Sequence, residues 1–482
     1  MLPSPSPFLL GFYGTRADAG TVSMLKETGA AGVLLLTRNL RSPDQVRRLT
    51  RDLTDKLGRP LIFSVDHEGG WVGRFRDQLT TFPGNAALAK SGRRAWAREC
   101  GRTMARELAS MGIRLNLAPV ADVQGTRYNP GIGIRSFGSD PQKVSKYCAE
   151  IMCGHFDHDV ATCIKHFPGK GDAKVDAHIS KPTIWSSKDR MNSVHIAAFR
   201  DAIRLGIPSL MTTHAAYPAL DPSGNTATYS TAISTGILRN RLNFRGLLIS
   251  DDLGMGAVIR HQNIPEASVR CLAAGHDILI LAEPALKPVQ AASAVCAALD
   301  SGKLDPLQWR KSRKRIIAFM DRFAKPASGR LPAPESRLPR LIARRAVEIL
   351  QQGRLRLPLR EKLIDVRLPD FRALDGRFAF EGGPAGPDRR IKSRLSLSGT
   401  RLRYNTAAEE NPEATAVFYC FDALRFPEER KALMRWQAVR KKILVVLLRN
   451  PWDKTLLKAG TTALTAHGFR HCQLDALSER IL

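Results

Sequence analysis

Residues 160–182 read VATCIKHFPGKGDAKVDAHISKP. The stretch has two halves. Val160 to Ile164 is apolar and β-rich, the composition of a short buried strand. From Lys165 onward, Pro168, Gly169 and Gly171 break any regular helix or strand. A loop crowded with titratable side chains therefore leaves the end of a strand. Within it Asp176 and His178 stand two apart, and in extended backbone side chains at i and i+2 share a face. The carboxylate can then reach the imidazole, fix its tautomer and leave the other ring nitrogen for proton transfer.

Outward from this stretch, short apolar runs alternate with longer amphipathic segments. The runs are Phe8–Tyr13, Gly32–Leu36, Leu61–Asp66, Leu115–Val123, Val160–His166, Ser209–His214, Leu247–Asp252 and Asp277–Leu281. Helix-like stretches such as Pro43–Lys56, Ala95–Met111, Pro141–Phe156, Ser187–Leu205, Thr231–Leu242 and Pro284–Leu299 lie between them. Such alternation over about 300 residues predicts an α/β fold with a parallel sheet closed into a (β/α)8 TIM-type barrel. An open doubly wound sheet would usually carry a Gly-rich phosphate turn after its first strand, and the sequence has none there. Asp66, Asp122, Lys165, His166, His214, Asp251 and Asp252 all fall at or just past the C-terminal ends of these runs. In a barrel those ends face one mouth, where catalytic groups gather.

The chain has 482 residues, enough for two domains. We read residues 1–323 as the catalytic barrel, 324–340 as a Pro-rich linker, and 341–482 as a smaller α/β, sandwich-like C-terminal domain. Its strand candidates are Leu363–Val366, Ala416–Phe421, Ile443–Leu448 and, weakly, His471–Leu474, with a helix at Glu429–Arg440. An apolar content of 43% fits a globular protein, and no apolar run approaches the ~20 residues that span a bilayer. The first residues lack a basic n-region, so no signal peptide is expected. Eight scattered cysteines without a C-x-x-C pair suit reduced thiols in a cytoplasmic protein and argue against metal binding. The net charge of +29 is spread along the whole chain, which fits a generally basic surface rather than a nucleic-acid arm.

Four further segments carry chemistry. LLISDDLGM at 247–255 sets two acids after a buried strand, and alternation lets only one point into the mouth. A carboxylate there can attack an anomeric carbon or bind a metal; equally, the pair can cap a helix and hold an arginine. SVDHEGGWVGRF at 64–75 places Asp66 at a strand end and Arg74 beyond two glycines. NPGIGIRSFGSDP at 129–141 puts Arg135 in a Gly-rich loop, with Ser139 or Asp140 placed to cap the next helix. Carboxylate and guanidinium at one rim suit sugar hydroxyls. His214, in MTTHAAYPALDP at 211–222, ends the sixth run.

Together these segments resemble glycoside hydrolase family 3, and within it the bacterial β-N-acetylhexosaminidases of peptidoglycan recycling. KHFPGKGD with Asp176-Ala177-His178 is similar to the family's acid/base loop, SDDLGM to its nucleophile segment, and IRSFGSDP and VDHEGG to two more signatures. ARRAVEIL at 343–350 and LLRNPWD at 447–453 look like two-domain members. Lys170 stands where the family usually has His, Ala177 where it has Ser, and Trp71 where Arg is common. The resemblance implies a retaining exo-β-N-acetylglucosaminidase. Asp251 would be the nucleophile, His178 the general acid/base and Asp176 its orienting partner. Asp66, Arg74, Arg135, Lys165, His166 and His214 would bind the sugar. No metal or organic cofactor is implied. The expected partner is a small carbohydrate, a muropeptide or N-acetylglucosaminide, without nucleic acid or membrane insertion. The alternatives are a phosphorylase or β-glucosidase of the same family, or a non-catalytic peptidoglycan-sugar-binding protein.

Overall fold

The computed structural model describes residues 2–75, 78–126, 129–175, 177, 180–374, 385–405 and 407–482. Eight parallel strands, β1 (Ser6–Leu10), β2 (Ala30–Leu35), β3 (Ile62–Val65), β4 (Leu115–Asn116), β5 (Ala161–Phe167), β6 (Ser209–Thr212), β7 (Leu247–Asp252) and β8 (Ile278–Leu281), pair in sequence order. β8 pairs with β1 and closes the barrel. The strands are almost wholly buried on both faces, which is why they read as continuous apolar runs. Local chemistry sets the helix ends between them. Ser42 caps the helix Pro43–Leu57 by accepting from Gln45 N, and Gly58 ends it in the left-handed conformation. Asp140, rather than Ser139, caps Pro141–Phe156 through Gln142 N and Lys143 N.

Two expected elements differ. The fourth run pairs as a regular strand only over Leu115–Asn116. Backbone bonds to β5 continue beyond Asn116, from Cys163 N to Ala118 O at 3.0 Å and from Lys165 N to Pro119 O at 3.1 Å, but the register shifts and only an isolated bridge between Val120 and Lys165 follows. The weak strand candidate His471–Leu474 is instead the start of a helix, His471–Ile481. Its buried Leu474, Leu477 and Ile481 recur at helical spacing, which a four-residue window cannot show.

A second sheet has the order β11-β10-β12-β13-β14-β9, from β9 (Glu348–Gln351), β10 (Leu363–Arg367), β11 (Arg401–Tyr404), β12 (Thr415–Cys420), β13 (Ile443–Leu447) and β14 (Thr462–Thr465). Only β9 runs antiparallel to its neighbour. Both faces are covered. Val417, Tyr419, Leu444 and Val446 join one core, and Ala416, Phe418, Cys420, Val445 and Leu447 join the other. Period-two alternation divides the same strands between two apolar layers, as a sheet between helices requires.

The compact units do not follow chain order. The first comprises Met1–His67, Arg94–Ile132 and Gly138–Ala333; the second gathers Glu68–Arg93, Gly133–Phe137 and Pro334–Leu482. The start of the Pro-rich stretch is bound within the first unit. Arg114 donates to Pro326 O at 2.8 Å and to Ser328 Oγ at 3.0 Å, and Arg47 donates to Gly329 O at 2.8 Å. Among the described residues no helix is long and apolar enough to cross a membrane.

Candidate active site

The strand ends of the first unit bring charged side chains together in pairs. Asp66 directly follows β3, and Lys165 lies near the end of β5; Lys165 Nζ donates to Asp66 Oδ1 at 2.6 Å. The next residue, His166, sets Nδ1 2.6 Å from Asp122 Oδ2. Adjacent residues of a regular strand face opposite ways, but the β5–β6 register shifts between Lys165 and Phe167. The Lys165–His166 peptide bond is cis. Asp122 is fully buried, and its carboxylate calls for the His166 proton on Nδ1. Its other oxygen accepts from Lys170 N at 2.6 Å, so one carboxylate ties the strand end to the loop that follows.

That loop is held closely through Ala173. Tyr217 Oη donates to Gly169 O at 2.9 Å, and Asn129 Nδ2 donates to Lys170 O at 2.8 Å and Gly171 O at 3.0 Å. A β-carbon on Gly171 would lie 1.6 Å from Val123 O, so only glycine fits. Asp172 is the main anchor. It accepts from Ser186 Oγ at 2.6 Å, from Arg190 Nε at 2.7 Å and Nη2 at 3.0 Å, and lies 2.9 Å from His195 Nε2. Burial pushes its carboxyl up, but these hydrogen bonds outweigh burial and hold it well below the usual carboxylate range. The helical run expected over Ser187–Leu205 widens to π geometry at Met191–His195, the turn that ends on this buried histidine.

Lys170 Nζ stands 4.0 Å from Asp251 Oδ2 at the end of β7. The two acids of that strand end differ. The Asp251 side chain is 17% exposed and shares Oδ1 with Asp252 N at 3.0 Å. Asp252 Oδ1 instead accepts from Gly254 N and Ala282 N, both at 3.0 Å. Burial pushes the Asp252 carboxyl up to about 6. His214 is buried, with Nδ1 2.7 Å from Thr228 Oγ1 and Nε2 2.9 Å from Asp252 O. Both nitrogens thus face protein groups. Desolvation lowers its pKa, and it braces the β7 backbone beside Asp251.

Asp176 and His178 lie outside the described residues. Ala177 between them is buried with Met255 and Ala257, and its carbonyl accepts from Ala257 N at 3.0 Å. At Ala177 the chain is therefore stitched to the segment that follows Asp251.

Arg74 and Arg135 belong to the second unit. Arg135 clasps Glu68 bidentately, Nε to Oε2 at 2.9 Å and Nη2 to Oε1 at 2.8 Å. Arg74 is half-buried. Sequence reasoning passed over Asp172, Glu68 and the loop-holding role of Asp122. An acid that follows a glycine or precedes Gly-Gly was the available signal for the first two. Among the described residues no group of three or more His, Cys, Asp or Glu is placed to hold a metal.

The family model "Glycosyl hydrolase family 3 N terminal domain" matches residues 9–319. A beta-hexosaminidase of Alkalilimnicola ehrlichii is 33% identical over 281 residues, 57% of this chain and 80% of the relative. One of Stenotrophomonas maltophilia is 33% identical over 308 residues, 60% of this chain and 89% of the relative. Among solved structures, a family 3 β-N-acetylglucosaminidase from Paenibacillus superposes with a TM-score of 0.89 at 26% identity, covering 98% of this chain and 94% of that one. With the closed barrel, the acid-bearing strand ends and this match over most of the barrel's length, the chain belongs to glycosyl hydrolase family 3 and is a glycoside hydrolase.

Proposed function

We propose that the protein is a retaining exo-β-N-acetylglucosaminidase acting on N-acetylglucosamine linked to anhydro-N-acetylmuramic acid in cell-wall recycling. The observation that carries this reading is the end of β7. There Asp251 keeps a partly exposed carboxylate beside Lys170, while its neighbour Asp252 is bound to backbone N–H groups. Asp251 would attack the anomeric carbon and form a covalent glycosyl-enzyme. His178, oriented by Asp176, would pass its proton to the leaving oxygen and then take one from the incoming water. An imidazole with an unperturbed pKa near ~6.5 can do both near neutrality, in place of the second carboxylate of most retaining enzymes. Asp66 and Lys165, held against each other, and His166, oriented by Asp122, would offer fixed acceptors and donors to sugar hydroxyls. By the family resemblance, Arg74 and Arg135 are further candidate sugar ligands. The names of the relatives support the sugar class. The cytosol is the proposed compartment, since all eight cysteines are free thiols.

The test is the purified protein on nitrophenyl β-N-acetylglucosaminide, nitrophenyl β-glucoside and the muropeptide disaccharide, with the first product anomer read by NMR. Release of β-configured N-acetylglucosamine, and labelling of Asp251 by a fluorinated mechanism-based sugar, are the expected results. The α-anomer as first product would end the retaining reading. Lys170, a cation 4.0 Å from Asp251, favours one second reading: phosphate as acceptor in place of water. Adding phosphate would then yield the sugar 1-phosphate.

A further inference from the structure

The second compact unit contains an arrangement that the hydrolytic reading does not use. Trp71, in the segment after β3, packs against the core that holds Val417, Tyr419 and Leu464. The guanidinium of Arg449 lies over its ring at 3.8 Å. Arg449 is itself buried, ion-paired with Asp422, and Asn450 Nδ2 donates to the same carboxylate at 2.9 Å. A desolvated guanidinium stacked on an indole face is among the stronger cation–π contacts. One residue before Trp71, Gly70 O accepts from Nε of Arg470 at 2.5 Å, and Arg470 is 2% exposed. Gly73 leaves room for the same guanidinium, since a β-carbon there would lie 2.8 Å from Nη2. The segment also closes on itself through Glu68 N to Val72 O at 2.9 Å and Gly70 N to Phe82 O at 2.8 Å. Two buried arginines of the C-terminal domain thus grip Gly70 and Trp71, with Glu68 and its Arg135 clasp on one side and Arg74 on the other.

We infer that Trp71, Arg449 and Arg470 are positioning residues. Through them the C-terminal domain sets the conformation of the segment carrying Glu68 and Arg74, and so the geometry with which Arg74 and Arg135 meet the sugar. This rests on the proposed assignment of Arg74 and Arg135 as sugar ligands. It also accounts for an aromatic residue at 71, because Arg449 needs a π face there.

The experiment measures kcat and KM on nitrophenyl β-N-acetylglucosaminide for Trp71→Ala, Trp71→Phe and Arg74→Ala, with tryptic cleavage after Arg74 followed by mass spectrometry. Trp71→Ala should raise KM about tenfold with kcat changed less than about threefold, the pattern of lost binding geometry. Trp71→Phe keeps a π face and should restore KM to within about threefold. Cleavage after Arg74 should quicken in Trp71→Ala while the sites in 385–482 stay protected. Arg449→Ala alone strands Asp422, so the Arg449→Met/Asp422→Asn pair serves instead and should reproduce the KM rise. Unchanged KM and unchanged cleavage in Trp71→Ala would overturn the inference. So would equal losses in Trp71→Ala and Trp71→Phe, which would mark a purely structural role. If Arg74→Ala leaves KM unchanged, the sugar-ligand assignment fails, and the anchoring is decided by cleavage alone.

Discussion

At the end of β7, the Asp251 carboxylate is 17% exposed and its cation, Lys170, stands 4.0 Å away. In β10 of the second sheet, the Asp365 carboxylate is fully buried. It accepts from Arg403 at 2.7 and 2.9 Å and from Arg440 at 2.7 Å. Asp475 shows the same saturation, clasped by Arg390 and Arg394, and Glu429 is held by Arg367. Asp251 and Asp365 both stand on parallel strands flanked by helices. Asp251 keeps a carboxylate within reach of a ligand; Asp365 and Asp475 spend both oxygens on guanidinium groups. A carboxylate can act on a substrate only where the protein has not already consumed its lone pairs. The difference also gives Arg367, Arg390, Arg394, Arg403 and Arg440 a structural task in a strongly basic chain.

The largest expected effect tests this comparison directly. Asp251→Asn should lower turnover by roughly 10⁴-fold or more with an unchanged unfolding midpoint. Asp365→Asn should do the reverse. Stranding Arg440 should cost about 3–5 kcal/mol in urea unfolding while turnover stays within a few-fold. If Asp365→Asn instead stopped turnover without loss of stability, the division between reactive and structural acids would break.

Asp172→Ala should have an intermediate effect, because it releases the loop that presents Lys170. Misplacement of a positioning element by about 1 Å can cost ~10²-fold, and kcat/KM should fall on that order. Stability should respond to pH as well. The folded Asp172 carboxyl is depressed, so its contribution is present above the unfolded value near ~3.9 and is lost as pH falls further. Unfolding midpoints between pH 7 and pH 3 should therefore drop more steeply in the wild type than in Asp172→Ala.

Asp252→Asn should have the smallest effect and the opposite sign. The folded Asp252 carboxyl is raised to about 6, so the folded state binds more protons than the unfolded state between about pH 4 and 6. Stability from this group falls as pH rises through that window. The amide keeps the acceptor for Gly254 N and Ala282 N and has no charge to bury. The midpoint of Asp252→Asn relative to wild type should therefore climb from pH 4 to pH 7, with turnover retained within about tenfold. A difference that does not vary with pH would refute the burial of a titrating carboxyl here.

The primary structure alone determined the barrel, because strand burial writes itself as apolar runs and loops as Gly/Pro breakers, both local patterns. It also placed Asp66, Lys165, His166 and Asp251 at strand ends, since position along a strand is a matter of counting. It did not show that the fourth run would pair over only two residues, or that residues 471–474 begin a helix. Tertiary structure decided everything that depends on closure. Asp251 and Asp252 are adjacent acids in sequence; Ala282, just past β8, separates them by donating its N–H to Asp252. Lys170 reads as an incidental substitution until the loop lays it beside Asp251, 81 positions away. Glu68 meets Arg135 across 67 residues, and Arg470 meets Gly70 across 400. No periodicity encodes such pairs. Their partners are chosen by which strand ends and loops a closed barrel and a folded-back C-terminal chain bring within hydrogen-bond distance.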